Sequence, residues 1–235
     1  MMEADLIYLR PTAIIDSDHP SVRDFAEMTV RGCTDPGQMA VRLYLAVRDG
    51  IWYSPYLPFE EPLYYRASYV LACGKSFCIP KASLLCALSR ACGIPCRLGF
   101  ANVRNHLAGE RLTDRLGTDV FVYHAFVEFF LGGGWVKATP AFNRELCEWY
   151  RVPPLDFNGR EDSLFQAFNG EHQRYMEYIE FIGSYADVPV DEIVNAFVKT
   201  YGERRAASWA QRRRDGGCDS GDRPVVEKTS AGDDR

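Results

Sequence analysis

The chain has 235 residues, of which 47% are hydrophobic and 13% aromatic, which suits one globular domain with a substantial core or two small ones. Its formal net charge of -5 leaves no basic surplus to neutralise phosphates, so nucleic acid is excluded as the main partner. Residues 1–15 lack the apolar stretch of a secretory signal, and no apolar run is long enough to span a bilayer. We therefore expect a soluble, cytoplasmic protein with no membrane partner.

Eight cysteines raise the question of a disulfide framework or a metal site. Four of them crowd one predicted helix and its exit, no pair has C-x-x-C spacing, and the four histidines do not cluster with thiols. A chain of this size also does not need disulfides to stabilise its core. We therefore expect neither a metal nor a cofactor, and most thiols should be small buried hydrophobic groups in a reducing compartment. The cysteines are Cys33, Cys73, Cys78, Cys86, Cys92, Cys96, Cys147 and Cys218.

The first third of the chain is predicted to be mainly helical. Helical periodicity covers residues 20–49 in two pieces, the second of which starts at Asp35-Pro36 and stops at Gly50. Residues 51–65 are aromatic and proline-rich, which predicts an extended connection. A short helix over 66–74 should end at its last residue, a glycine.

The next helix is predicted to begin at Cys78, because Pro80 is tolerated in a first helical turn. Its apolar residues recur at a spacing that gives a wide stripe facing the core, and the helix should end at Gly93. Residues 94–103 have the composition of a strand, and 104–119 form a polar loop.

The remainder of the chain is predicted to contain one hairpin and one further helix. Residues 119–131 are rich in β-formers, three glycines follow as a turn, and 135–140 form the return strand. Residues 141–188 are assigned only as irregular with short elements, and 190–202 are predicted to form an amphipathic helix. Few apolar residues occur after about residue 215.

This pattern predicts one domain over residues 1–205, with a motif core at 78–140, and a polar C-terminal tail over 206–235. The tail has many turn-forming residues, so it cannot bury enough surface to offset its ordering entropy, and we expect disorder there. No internal repeat is visible.

Cys78 is the cysteine best placed to be a nucleophile. At a helix start, unpaired N–H groups and the helix dipole stabilise a thiolate, and the same N–H groups can bind a developing oxyanion. Cys86 and Cys92 lie inside or at the end of the same predicted helix, and Cys73 precedes Gly74 at a helix C-terminus. The alternative interpretation is that Cys78 is a buried structural cysteine.

His124 is the candidate base for Cys78, since a thiol needs a base and an orienting group to carry out acyl transfer. It lies in the predicted strand 119–131, where residues 122 and 126 should share its face. A lone histidine in a strand is more often a packed or surface residue than a catalyst. The hairpin nevertheless returns the chain past His124, so residues near 137–139 could reach its ring.

Two blocks of sequence resemble the transglutaminase-like superfamily. The first, CIPKASLLCALSRACGIPCR over 78–97, has the spacing of the family's nucleophile helix and its exit. The second, YHAFVEFFLGGGWVKATP, resembles the strand, glycine-rich turn and return strand that carry the family's histidine. The matching residues are Cys78, Ala82, Leu84, Ala87, Arg90, Gly93, Ile94, Pro95 and Arg97 in the first block, and His124, Glu128 and Trp135 in the second.

The resemblance implies an α+β fold in which a nucleophile helix packs on an antiparallel sheet, as in papain-like proteins. It implies that the Cys78 thiolate attacks an amide carbonyl of a peptide or protein and forms a thioester. Water would resolve the thioester in an amidase or peptidase, and an amine would resolve it in a transamidase. The sequence does not choose between these acceptors.

Thr139 departs from the family's pattern, in which an aspartate stands just before the proline of the return strand. A threonine oxygen can hold the imidazole of His124 in one tautomer, but it cannot stabilise an imidazolium by charge. Papain-like enzymes use a neutral asparagine in this role, so Asn143 is a possible substitute. The simplest alternative is that Thr139 only completes the strand.

Two other hypotheses remain open. In the first, the chain is a catalytically impaired transglutaminase-like fold that binds proteins or peptides, and contacts to His124 would decide the matter. In the second, the cysteines form a structural cluster without acyl chemistry. Arg90 and Arg97 are interpreted as structural, Trp135 as a core residue, and Glu128 as a partner for an arginine.

Overall fold

A computed structural model of the chain describes residues 6–55, 57–106, 113–114, 116–165 and 175–204. Within these ranges the chain forms six α-helices and six strands, together with two 3-10 segments. The helices are α1 (Pro20–Val30), α2 (Pro36–Gly50), α3 (Ala67–Cys73), α4 (Cys78–Ala91), α5 (Arg144–Tyr150) and α6 (Val190–Tyr201). The strands are β1 (Trp52–Tyr53), β2 (Lys75–Ser76), β3 (Cys96–Asn105), β4 (Val120–Leu131), β5 (Gly134–Ala138) and β6 (Met176–Tyr185).

The predicted N-terminal helices are confirmed, and their ends follow local chemistry. Asp35 caps α2 by accepting a hydrogen bond from the N–H of Gln38 at 2.9 Å, and Pro36 occupies the first helical position. The short helix α3 ends at Gly74, whose φ of 64° is a left-handed conformation that glycine adopts without steric cost. The connection over 51–65 contains β1 and a 3-10 turn at Pro62–Tyr65 in addition to extended chain.

Helix α4 runs through the centre of the molecule and is buried on nearly every side. It contacts α1, α2 and α3 as well as β3 and β4, so it carries more than the single core-facing stripe that its apolar spacing predicted. Even Lys81 is fully buried; its ammonium donates to the carbonyl oxygens of Arg48 (2.9 Å) and Ile51 (2.5 Å) at the end of α2. These bonds fix the start of α4 against the end of α2.

Four antiparallel strands form the main sheet in the order β5-β4-β3-β6. The predicted hairpin is observed as β4 and β5, in which Val127 pairs with Ala138 and Leu131 with Gly134. Helix α4 packs on this sheet, which confirms the α+β class and the expected packing of helix on sheet.

The prediction that residues 141–188 are irregular with short elements is wrong at β6, a strand of ten residues, whereas α5 is a short element of seven residues. The alternation of polar and apolar residues that marks a strand is interrupted in β6, since its register with β3 shifts twice. Two apolar side chains of β6, Ile179 and Phe181, are also exposed, at 47% and 58%. The predicted tail over 206–235 lies outside the described residues.

The side chain of Phe126 in β4 lies over Gly99, its direct partner in β3. A Cβ atom at position 99 would overlap the ring of Phe126. The backbone of Gly99 thus serves as the surface on which this aromatic ring lies.

No helix among the described residues has both the length and the apolar character needed to cross a membrane.

Candidate active site

Cys78 is the first residue of α4, as the sequence predicted. Phe77 precedes the helix in an extended conformation (φ -100°, ψ -174°), and Pro80 lies in the first turn, where a missing N–H breaks no helical hydrogen bond. The backbone N–H groups of Cys78, Ile79 and Ala125 lie close enough to the sulfur to lower the pKa of the thiol. Two of these groups belong to the helix end and one to β4, so helix and strand meet at this sulfur.

A β-bulge directly precedes His124. The register between β3 and β4 shifts there, so that Val122 and Tyr123 of β4 lie opposite a single residue of β3, Asn102. Tyr123 has a φ of 55°, a left-handed conformation that few residues other than glycine adopt. Bulges of this kind re-aim side chains and occur often beside active sites.

Two side chains pair with the backbone that the bulge releases from the strand. The N–H of Tyr123 donates to Oδ1 of Asn102 at 3.2 Å. The N–H of Val122 donates to the hydroxyl oxygen of Tyr201 at 3.0 Å. Since Tyr201 is the last residue of α6, this helix supports the strand segment that presents His124.

Cys78 and His124 line one cavity of about 510 Å³, its open mouth included. Phe121 and Val122 line the same cavity, although successive residues of a regular strand point to opposite faces. The bulge explains why both residues reach the cavity. The expectation that simple alternation orients the neighbours of His124 therefore does not hold on the N-terminal side of this residue. The structure thus brings the two predicted residues to one site.

Burial determines the protonation of both side chains. The residue Cys78 keeps some exposed surface, but protein surrounds its sulfur, and burial raises the pKa of the thiol to about 11 in spite of the nearby N–H groups. His124 is only 4% exposed, and burial lowers the pKa of its imidazole to about 3. A helix start alone predicts a lowered thiol pKa, whereas here desolvation has the larger effect. Near neutral pH the pair is therefore a thiol and a neutral imidazole.

Thr139 lies just beyond the end of β5 and is 1% exposed. When the register of Val127 with Ala138 is extended by one residue, Thr139 falls opposite Phe126 and on the same face as His124. Among the described residues, neither the buried Nε2 of His124 nor the buried hydroxyl of Thr139 has a hydrogen-bond partner. Thr139 is thus on the face of the sheet that carries the imidazole, without being bonded to it.

Tyr178 of β6 is a neighbour of this site that the sequence interpretation missed. Its ring centroid lies 6.5 Å from that of His124. Its buried hydroxyl lies beside the Thr139 side chain and the backbone of Phe165, without a hydrogen bond of good geometry to any described residue. Burial raises the pKa of Tyr178 to about 12, while the adjacent Thr139 side chain lowers it. Three buried polar atoms, from β4, from β6 and from the residue just after β5, therefore lie in one region without a hydrogen bond of good geometry among the described residues. No local signal marks Tyr178, because it lies in the strand that the sequence pattern did not predict.

Asn143, the other candidate for orienting His124, is bonded elsewhere. Its Oδ1 accepts a hydrogen bond from the N–H of Tyr53 at 3.2 Å, and its Nδ2 donates to Glu145 at 2.8 Å. Both ends of the amide are thus engaged with residues outside the Cys78–His124 pair.

The remaining motif residues have structural contacts. Arg90 donates to three backbone carbonyl groups that lie far apart in the chain. Arg97 pairs with Glu128 at 2.5 Å, and the guanidinium lies 3.9 Å from the ring centroid of Trp135. Ser184 of β6 donates to the same Glu128 carboxylate at 2.7 Å. Arg90, Arg97 and Glu128 therefore tie the helix exit to the sheet, as expected. Trp135 was expected in the core, but it is only half-buried.

Among the residues that the structure describes, no group of three or more His, Cys, Asp or Glu side chains could hold a metal ion. Cys33, Cys78, Cys86, Cys92, Cys96 and Cys147 are free thiols.

The family model of the transglutaminase-like superfamily matches residues 23–140, which is half of the chain. The chain belongs to this superfamily, and the resemblance seen in the sequence is confirmed. The match includes Cys78, His124 and Thr139 and ends before α5, β6 and α6. No curated protein matches the chain.

Two solved structures resemble parts of the chain. One is named "Putative Cysteine Protease from Cytophaga hutchinsonii"; it has 18% sequence identity and a TM-score of 0.46, over 60% of this chain and 43% of that protein. The other is named "putative protease from Parabacteroides distasonis"; it has 16% identity and a TM-score of 0.38, over 57% of this chain and 25% of that protein. The chain thus matches less than half the length of either protein.

Proposed function

We propose that the chain is a cysteine acyl-transfer enzyme that acts on amide bonds of peptides or proteins through a thioester at Cys78. One observation carries this proposal: Cys78 and His124 line the same cavity. Cys78 lies at the start of α4, and His124 directly follows the bulge in β4. Membership of the transglutaminase-like superfamily supports the same chemistry.

In the proposed reaction, a ring nitrogen of His124 takes the proton of the Cys78 thiol as the sulfur attacks the amide carbonyl carbon. The backbone N–H groups of Cys78 and Ile79 are placed to stabilise the negative charge that develops on the carbonyl oxygen. When the C–N bond breaks, His124 returns the proton to the leaving amine, and the acyl group remains on sulfur as a thioester. Water or a second amine then attacks the thioester, and the thiol is restored.

Because thiol and imidazole are both neutral, the proton transfer has to accompany the attack rather than precede it. Substrate that fills the cavity would place the carbonyl group where this transfer is productive. We infer that the hydroxyls of Thr139 and Tyr178 orient His124 from its buried side, in the place of the family's aspartate. Neither hydroxyl carries a charge, so this support should be weaker than that of a carboxylate.

The experiment compares wild type with Cys78→Ala, and with Cys92→Ala as a control that removes another partly exposed thiol, located directly after the same helix. Each protein is incubated with p-nitrophenyl acetate and analysed by intact mass, and with labelled casein in the presence and absence of a fluorescent primary amine. Wild type and Cys92→Ala should form an acetyl-enzyme and process casein, whereas Cys78→Ala should do neither. Casein cleavage would indicate hydrolysis, and amine incorporation would indicate transamidation. Full activity of Cys78→Ala would refute the assignment.

A second candidate function is binding of peptides without catalysis. The observation that favours it is the absence of any carboxylate bonded to His124 among the described residues, together with the neutral state of both side chains. In that case casein peptides would bind wild type and Cys78→Ala equally well, and neither protein would form an acyl-enzyme.

A further inference from the structure

The walls of the cavity beside Cys78 are almost entirely apolar. Aromatic and aliphatic side chains from the 51–65 connection, from β4 and from α6 surround the sulfur and the imidazole. No Asp, Glu, Lys or Arg side chain is among the described residues that line the cavity. Small-molecule sites are lined mainly by apolar and aromatic side chains, and this cavity has such a lining.

The acyl group is the part of a substrate that must occupy this cavity. In the proposed reaction it becomes bonded to the sulfur of Cys78, so the atoms next to its carbonyl carbon have to lie beside the cavity wall. An apolar chain there is stabilised by removal of its surface from water. A charged group would lose its hydration without gaining an ionic partner, which is unfavourable.

Helix α6 provides one wall of the cavity through Phe197 and Tyr201, which are 8% and 3% exposed. The ring of Phe197 lies 5.1 Å from that of Phe59 and 5.4 Å from that of Tyr201, measured between centroids. The hydroxyl oxygen of Tyr201 accepts the N–H of Val122, which holds this ring against the bulge before His124. The wall is therefore built from packed side chains and is attached to the strand that carries the base.

We propose that this cavity selects substrates with an uncharged, apolar acyl group next to the scissile bond, and that Phe197 of α6 determines this selectivity. The inference rests on the proposed function, because it assumes that an acyl group is transferred to Cys78. It goes beyond the family assignment, since α6 lies outside the part of the chain that the family model matches.

The test uses p-nitrophenyl esters of acetate, hexanoate and monoanionic glutarate. The rate of p-nitrophenol release by each protein is divided by the rate with N-acetylcysteine, which corrects for the reactivity of the ester, and intact mass locates the acyl group on Cys78. Each methylene group of the acyl chain that is buried in the cavity can raise the acylation rate by up to about fourfold. We expect hexanoate to acylate Cys78 at least about tenfold faster than acetate, and glutarate to be the slowest of the three.

Two pairs of variants isolate the contribution of α6. Phe197→Ala should lower the ratio of the hexanoate rate to the acetate rate, whereas Val198→Ala, on the same helix but not in the cavity wall, should leave this ratio unchanged. Phe197→Lys should raise the glutarate rate relative to hexanoate, and Val198→Lys should not. Thermal melting checks that each variant is folded, and Phe197→Leu replaces any Phe197 variant that is not.

The outcomes separate this inference from the proposed function. Acylation of Cys78 without a preference for hexanoate, or a preference that the Phe197 variants do not alter, would refute the inference and leave the proposed function standing. If no ester acylates Cys78 although all of them acylate N-acetylcysteine, the proposed function itself fails.

Discussion

Thr139 occupies the position at which the family has an aspartate. Its buried surroundings indicate that a charge there would have a large effect on the protonation of His124. The Thr139 hydroxyl, the Nε2 of His124 and the Tyr178 hydroxyl are all buried without hydrogen bonds of good geometry among the described residues. Burial alone sets the pKa of His124 to about 3, with no compensating carboxylate. A single negative charge at this position should therefore change the protonation of the whole pair.

The substitution Thr139→Asp should lower the pKa of the Cys78 thiol, because a carboxylate stabilises the imidazolium that accompanies a thiolate. We expect alkylation of Cys78 by iodoacetamide at pH 7 to become up to about tenfold faster for each unit by which the thiol pKa falls. Thr139→Asn supplies an oxygen of the same shape without the charge and is the matched control. The measurement is the alkylation rate between pH 6 and 10, after circular dichroism has shown equal folding.

A pH profile that is identical in wild type and Thr139→Asp would mean that Thr139 does not face His124. An equal gain in Thr139→Asp and Thr139→Asn would assign the effect to geometry rather than to charge.

The bulge before His124 connects three separate elements, β3, β4 and α6. Asn102 of β3 accepts the N–H of Tyr123, and Tyr201 of α6 accepts the N–H of Val122. Asn102 also donates to Glu180 of β6 at 2.8 Å. The orientation of His124 is thus a property of how these elements pack together.

Replacement of Asn102 should reveal whether the bulge positions His124. Asn102→Leu leaves the N–H of Tyr123 without its acceptor, which should cost about 1–3 kcal/mol of stability and slow the acylation of Cys78. Asn102→Asp keeps an acceptor oxygen for the N–H of Tyr123 but loses the bond to Glu180. Its acylation rate should therefore be close to that of wild type, while its stability should remain lower. The measurements are urea denaturation and the rate of acetyl-enzyme formation. A loss of stability in Asn102→Leu with an unchanged acylation rate would show that the bulge is only structural.

Local signals in the sequence are sufficient to predict the elements that carry Cys78 and His124, whereas their proposed roles come from the family resemblance. A helix start followed by Pro80, and a β-rich segment followed by three glycines, specify their elements without reference to the rest of the chain. The bulge, the orientation of His124 and the role of Tyr201 could not be predicted, because they depend on a hydrogen bond between residues 79 positions apart. Strand β6 was missed for a related reason, since its register shifts are imposed by β3.

At the scale of the whole molecule, stability depends on the buried imidazole of His124. Its pKa is about 3 in the folded protein and about 6.5 in the unfolded chain, so below pH 6.5 the unfolded state binds a proton that the folded state does not. Folding should therefore lose about 1.4 kcal/mol for each pH unit below 6.5, until the pH reaches the folded pKa.

Wild type should consequently lose about 2 kcal/mol more stability than His124→Gln between pH 7 and pH 5. This window lies above the usual carboxylate pKa values, and the exposed pair of His106 with Glu177 is common to both proteins and cancels in the comparison. Urea denaturation at pH 7 and at pH 5 gives the change in the free energy of unfolding for each of the two proteins. Parallel losses in the two proteins would show that His124 is not buried in its neutral form.

The contact of Gly99 with Phe126 has a consequence for any survey of tolerated substitutions in this protein. Every replacement at position 99 adds a Cβ that displaces the ring of Phe126, two residues along β4 from His124. That ring belongs to the same buried cluster as Phe165, whose own ring lies 4.9 Å from the imidazole. If Cys78 and His124 act as proposed, alanine at position 99 should lower the rate of Cys78 acylation by displacing this ring, although Gly99 does not line the cavity. A mutational scan scored by activity alone would mistake this glycine for part of the chemistry, and only a parallel scan scored by folded yield would correct the error.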